Sequence, residues 1–166
     1  MRERISRARQ AKNLQWNVDS QKAIDIITAS GLSDALGSAL TRLKDLGQVS
    51  AYPDALNRLC EAIGGQSKIN TLICRQSIYE WLQDKCETCA GRGNMRLPNG
   101  VNITCHACAG VKVRRWTDGE RALSIGVPVP VYRREHMATL NRALARIDAA
   151  TRIYANGVKY KLSDEK

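Results

Sequence analysis

Phenylalanine is absent from the 166 residues, and aromatics of every kind make up only 5% of the chain. An interior without Phe has to be filled by Leu, Ile, Val and Ala, so its stripes must be read from spacing alone. Histidine occurs twice, at His106 and His136, and no clustered carboxylate set stands in for it. A nuclease or other nucleic-acid enzyme needs acidic metal ligands or a histidine base, so that reading has few residues to carry it, and no catalytic residue is assigned. Long apolar runs are missing too: nothing approaches the roughly 18 apolar residues of a membrane span. The start, MRERISRARQAK, is basic, but no apolar core of a secretory leader follows it. The expectation is a cytoplasmic chain in a reducing compartment, where paired cysteines mean metal more often than disulfide.

Acidic residues are also in short supply. Lys and Arg number 26 against 16 Asp and Glu, a formal charge of +10. Such an excess draws a protein towards polyanions, with nucleic acid the first candidate and an acidic membrane surface the second. Three basic clusters stand out, at residues 2–12, 112–115 and 133–146. The first lies in an arm over 1–18, either a solvated arm or one that orders on a phosphate backbone.

From Asp19 onward the pattern is helical. Asp19 or Ser20 caps a helix carrying Ile24, Ile26 and Ile27, and Gly31 stops it. Ser33 caps a second, with Leu36, Ala39, Leu40, Leu43 and Leu46 at helical spacing before Gly47. Pro53 opens a third, with Leu56, Leu59, Cys60 and Ile63, closed by Gly64-Gly65. Ser67 caps a fourth, striped by Ile69, Leu72, Ile73, Gln76, Tyr79 and Leu82. Cys60 and Cys74 lie on these stripes and read as small buried hydrophobes. A helix over about 118–125, a rigid turn over 126–130 and a long helix from Val131 to about Tyr154 complete the pattern. On the long helix Met137, Leu140, Leu144 and Ile147 share one face, Arg134, Ala138 and Arg142 fall on the other, and Tyr132 stands at the flank.

Residues 86–115 break the helical habit. They read Cys86-Glu-Thr-Cys89-Ala-Gly-Arg-Gly93 and then Cys105-His-Ala-Cys108-Ala-Gly110, with Asn99-Gly100 as a hairpin turn between them. Two residues between cysteines let a tight turn aim both sulfurs at one point, and two such turns complete a tetrahedron. Cys86, Cys89, Cys105 and Cys108 are therefore the expected ligands of one structural Zn2+. Four thiolates leave no open position, which argues against a catalytic metal. A thioredoxin-like pair wants a βαβ setting, and a zinc deaminase wants His-x-Glu; neither is here. His106 reads as solvated, and Lys85, Arg92 and Lys112 are placed to offset the charge of the site.

The doubled C-x-x-C-x-G motif is shared with the zinc region of DnaJ-type co-chaperones, but only two knuckles exist, and Lys112 stands where the second would end in glycine. Over about residues 55–150 the chain more closely resembles the lambda-type Q transcription antitermination proteins of bacteriophages. It shows a helix ending in Cys86 to Gly93, a hairpin, Cys105 to Gly110, a short helix, a proline turn, and a longer helix opening Pro130-Val-Tyr-Arg-Arg134 with Leu140 and Leu144 behind. The resemblance implies a mainly α fold. It is a helical domain with an inserted four-cysteine zinc-knuckle β-hairpin and a helix-turn-helix-like DNA-binding unit. The implied layout is an arm over 1–18, a helical region over 19–66, a zinc-containing DNA-binding domain over 67–155 and a tail over 156–166. It implies a phage late-gene antiterminator with no enzymatic activity. Such a protein binds promoter-proximal double-stranded DNA, with a second copy of itself as a possible partner there. It then loads onto paused bacterial RNA polymerase with its sigma factor, in the cytoplasm of the host cell and without a membrane. Arg114, Arg115, Tyr132, Arg133, Arg134 and Arg142 are the expected DNA contacts. A co-chaperone-like protein-binding zinc module is the alternative.

Overall fold

The computed structural model describes residues 34–163. The basic arm over 1–18 and the helix expected over 19–27 lie outside the described residues. What is described falls into two compact units, residues 34–67 with 142–163, and residues 68–141.

In the first unit, helix α1 spans Ala35–Asp45. Its cap is Asp34, one residue after the expected Ser33; the carboxylate accepts the Gly37 amide at 2.8 Å. A serine hydroxyl could do that much. Asp34 also takes the Arg146 guanidinium on its other oxygen at 2.7 Å, which only a carboxylate serves as a charged partner. Gly37 is required by packing: a Cβ there would sit 2.2 Å from the Ala150 carbonyl oxygen. Helix α2, Tyr52–Ile63, has Pro53 in its first turn and ends at Gly64, φ +121°, as expected. Asp54 ties the pair, accepting from Arg42 at 3.1 Å and Arg58 at 2.7 Å. Leu36, Ala39, Leu40, Leu59, Cys60 and Ile63 are buried between them.

The second unit begins with α3, Lys68–Leu82. Its buried set is wider and more polar than the expected stripe: Ile73, Cys74, Ile78, and also Gln76, Ser77 and Glu80. Tyr79 is turned outward instead, 45% exposed. Strands β1 (Asn94–Arg96) and β2 (Asn102–Thr104) form an antiparallel hairpin with Met95 opposite Ile103. The Asn99-Gly100 turn is realised with Gly100 at φ +84°, and the Asn99 side chain accepts the Val101 amide at 3.2 Å.

Helix α4, Asp118–Ile125, has a capping box: Thr117 Oγ1 accepts the Glu120 amide at 3.2 Å, and Glu120 accepts the Thr117 amide at 2.7 Å. Gly126 ends it in the left-handed conformation, φ +77°. A three-residue turn follows, then a helical lead-in over Val129–Val131. The lead-in passes through one wide turn, Tyr132–His136, closed by the Met137 amide on the Tyr132 carbonyl, into α5, Met137–Ser163. The helix expected to end near Tyr154 thus continues nine residues further, into the range read as a tail.

The wide turn changes which side chains face in. An ideal helix would set Tyr132 about 80° round from Leu140 at 3.6 residues per turn. The extra residue takes out about one 100° step and brings the two onto one face. Tyr132 and Leu140 are both fully buried. Met137, expected on the apolar face, is 37% exposed; Leu140, Ala143, Ile147, Ala150 and Tyr154 form the buried stripe. Among the described residues no helix is long and apolar enough to cross a membrane.

Candidate metal centre and basic surface

The four cysteines expected as ligands come together. Their sulfurs all lie within 4.8 Å of one another, and all four residues are buried. Across the knuckles, Cys86 and Cys105 are 3.9 Å apart and Cys89 and Cys108 are 3.8 Å apart, sulfur to sulfur. A regular tetrahedron with metal–sulfur bonds of about 2.3 Å has edges of about 3.8 Å. The cluster could therefore hold a metal ion with little rearrangement, and all four tetrahedral positions would be filled. The Gly93 amide donates to Cys89 Sγ at 3.2 Å, the kind of backbone support a thiolate ligand needs. His106 is exposed and outside the cluster.

The centre is built twice, with a shift of 19 residues. After each second cysteine an alanine and a glycine take positive φ: Ala90 +50° and Gly91 +75°, then Ala109 +50° and Gly110 +84°. Two residues past those glycines stand Gly93 and Lys112, at +82° and +72°. The hydrogen bonds repeat as well. The Cys105 amide donates to the Gly93 carbonyl at 3.0 Å, and the Cys86 amide to the Lys112 carbonyl at 2.9 Å. The bridge between Lys85 and Val113 repeats that between Asn94 and Thr104. Each knuckle thus closes the other, so neither folds alone.

The thiols differ in acidity. Burial pushes Cys89 up, but the Gly93 amide and the other three thiols outweigh it and hold it down at about 6. At Cys105 amide donation pulls down, while burial and the demands of Cys108 and Cys89 push it up to about 11. Crowded thiols surrender their first proton easily and their last reluctantly, which a central cation reverses.

Behind the centre lies a set of contacts that sequence spacing does not reveal. Arg114 bonds Gln83 at 3.1 Å, Glu87 between two of the ligands, and Glu120 of the capping box at 3.2 Å. Its guanidinium stacks 3.7 Å from the Trp116 ring centre, and Trp116 meets Tyr79 edge-on at 5.5 Å. Further in, Arg121 grips Glu80 with two bonds, 2.9 and 2.7 Å. Glu80 also accepts from Gln76 at 3.0 Å, and Gln76 from Ser124. A charged pair 41 residues apart on two helices leaves no trace in local periodicity; the polar residues at expected apolar positions, Gln76 above all, were the signal.

The expected DNA contacts sort into different places. Arg115 is exposed. Arg133 and Arg134 are exposed at the start of the second helix, with partners Asp118 at 2.7 Å and Glu135 at 2.6 Å. Arg142 is exposed and lies 3.5 Å from the Ile63 carbonyl. Arg114 is mostly covered and fully engaged in holding the knuckle to α4. Tyr132 is the clear correction: expected at the flank as a DNA contact, it is fully buried, turned in by the wide turn. Burial pushes its phenol up against the pull of the neighbouring Arg121, and among the described residues its hydroxyl makes no hydrogen bond of good geometry. No protein-family model and no curated protein matches the chain.

Proposed function

We propose that this chain is a zinc-stabilised, DNA-bound transcription antiterminator of the lambda-type Q kind, without enzymatic activity. The ion is taken to be zinc because a closed, buried set of four thiolates is the donor set that Zn2+ fills as a structural ion. One observation carries the DNA reading. An eight-residue helix, a three-residue turn begun by a left-handed glycine, and a second helix follow one another, an order that supports the reading of a helix-turn-helix-like corner. The first turns of that second helix leave Arg133, Arg134 and Met137 uncovered, where such a corner meets base edges and phosphates. The charge of +10 supports a polyanionic partner. The order of helix, knuckle, hairpin, knuckle, helix, proline turn and helix supports the resemblance to Q, and with it the loading onto paused bacterial RNA polymerase with its sigma factor.

A second reading has an observation of its own. The knuckle hairpin exposes Leu97, Val101, Ile103, Val111 and Val113, and apolar side chains on a small module suit a protein-binding surface. Anisotropy titrations of the zinc-loaded chain with promoter-length duplex, over a range of salt, separate the two. The DNA reading expects steeply salt-dependent binding, weakened by Arg133→Ala with Arg134→Ala while melting is unchanged. Run-off transcription past a terminator then tests the antitermination step. One zinc per chain with no duplex affinity at moderate salt would shift the function to the protein-binding reading.

A further inference from the structure

Among the described residues some cations of the second unit are paired with carboxylates, and others, Arg75, Arg96 and Arg115 among them, are not. Those of the helix-turn-helix corner are paired: Arg121 with Glu80, Arg133 with Asp118, Arg134 with Glu135, and Arg114 with Glu87 and Glu120. Those gathered around the first knuckle, among the described residues, have no carboxylate partner. Lys85, Arg92 and Lys112 are all exposed, and they are gathered in one place. The stem of Lys85 passes over Gly91, where a Cβ would lie 3.5 Å from its Cγ. The stem of Lys112 passes over Gly93, where a Cβ would lie 3.0 Å from its Cγ. Arg92 stands between those two glycines. Its Nε is anchored on the Cys89 carbonyl at 3.1 Å, leaving both terminal nitrogens without a partner among the described residues.

Three like charges held together on a rigid loop repel one another, and nothing acidic from the described chain relieves them. The tetrathiolate site, formally −2 with its ion, gives partial relief through its buried sulfurs, yet the charged ends remain in solvent. A loop whose backbone is fixed by metal ligation also loses little further entropy when it binds.

We propose that Lys85, Arg92 and Lys112, from both knuckles, form a phosphate-binding tripod over Gly91 and Gly93 of the first. It grips the sugar–phosphate backbone of duplex DNA independently of the helix-turn-helix corner. The proposal rests on the DNA-binding reading above and adds a second place where salt-dependent affinity resides. Contacts of this kind fix position and strength but carry no sequence information. The tripod therefore strengthens specific and random duplex alike.

The test is a salt titration of duplex binding by the zinc-loaded full chain, wild type against K85Q/R92Q/K112Q, with zinc content measured on both. The log–log slope for the triple variant should be shallower by about 2.7, at about 0.9 per phosphate contact. Affinity for specific and random duplex should fall by the same factor, with one zinc retained. A single variant, Lys112→Gly, guards against misfolding, because it gives the second knuckle the glycine that the first already has at the equivalent position. Its slope should drop by about 0.9. Unchanged slopes in zinc-loaded variants of a chain that binds DNA would overturn the tripod while sparing the DNA reading. Loss of zinc affinity with the slope unchanged would overturn it in favour of cations that serve only the metal site. A wild-type chain with no affinity for any duplex would overturn the parent reading and the tripod together.

Discussion

Lys112 takes in the second knuckle the left-handed backbone position that Gly93 takes in the first, at φ +72° against +82°. Each accepts, on its carbonyl oxygen, the amide of the first cysteine of the opposite knuckle. The two positions are equivalent in hydrogen bonding and unequal in strain, because an L side chain pays for that conformation and glycine does not.

Lys112→Gly should therefore stabilise the zinc-loaded protein slightly. Relief of the left-handed conformation is worth about 1 kcal/mol, and the greater freedom of glycine in the unfolded chain cancels about half of it. Gly93→Ala should do the reverse and cost about 2 kcal/mol or more. It adds strain, and its Cβ would lie 2.9 Å from the Gly110 carbonyl oxygen. Denaturant midpoints of the two variants at saturating zinc check both signs; equal midpoints would mean that the backbone relaxes at these positions.

Removing the metal should undo the knuckle. Its four buried sulfurs replace an apolar core, and among the described residues Met95 is the partly buried hydrophobic side chain packed on them. A structural ion of this kind supplies much of the folding free energy of its module. Chelation, or Cys105→Ser, should shift tryptophan emission to the red, because Trp116 is stacked under Arg114 and Arg114 is tied to Glu87 between the ligands. A Cys105→Ser protein that kept its metal and its emission would contradict the closed four-thiolate centre.

How much of this was legible beforehand depended on the range of the interaction. The ligand set was legible because two tight turns need fixed spacing, and the hairpin was legible because Asn-Gly at its tip has one preferred use. The helices Tyr52–Ile63 and Asp118–Ile125 followed from Pro53, Gly64 and Gly126 at their ends. Tyr132 was misplaced because its burial follows from one extra residue in a turn, which a 3.6-residue projection cannot contain. Asp34 displaced Ser33 as cap through a partner, Arg146, that lies 112 residues away. The Glu80–Arg121 pair was invisible for the same reason.

That pair should be the most sensitive point of the second unit. Glu80 is 5% exposed. Although burial pulls Arg121 down, the bonds and charge of Glu80 raise it above its usual value. Arg121→Met would strand a buried carboxylate and should cost about 3–5 kcal/mol. Adding Glu80→Gln to it should recover a good part of the loss, since the amide can still bond Gln76 without a charge to bury. A double variant no more stable than Arg121→Met would show that packing, not the stranded charge, sets the cost.

Asp34 should make the first unit acid-sensitive. Burial pushes its carboxyl up, but the Gly37 amide and Arg146 outweigh that and hold it below 3.8. A depressed carboxylate stabilises the fold above the unfolded value, and the stabilisation is lost as pH falls through the folded value. Asp34→Asn keeps a capping side chain and loses the charge. It should cost about 1 kcal/mol at pH 6 and nothing once pH is well below 3.8. Parallel stability curves across that range would remove the ion pair from the account.

Tyr132 offers the sharpest separation between a structural and a DNA-contacting residue at the start of the helix proposed to read DNA. Its ring is fully buried, and its hydroxyl, beside the Arg121–Glu80 pair, makes no hydrogen bond of good geometry among the described residues. A buried donor left unpaired lowers stability, so deleting the oxygen while keeping the ring should cost nothing. Tyr132→Phe should therefore melt at the same temperature as the wild type or higher, with a gain of up to about 1 kcal/mol. Because the phenol is shielded from solvent, duplex affinity and its salt slope should not change. Loss of affinity in a Tyr132→Phe protein with unaltered melting would mean that the wide turn rewinds on DNA and delivers this side chain to the groove. Loss of stability would mean that the hydroxyl has a partner, Arg121 beside it or a buried water, that the Phe variant cannot hold.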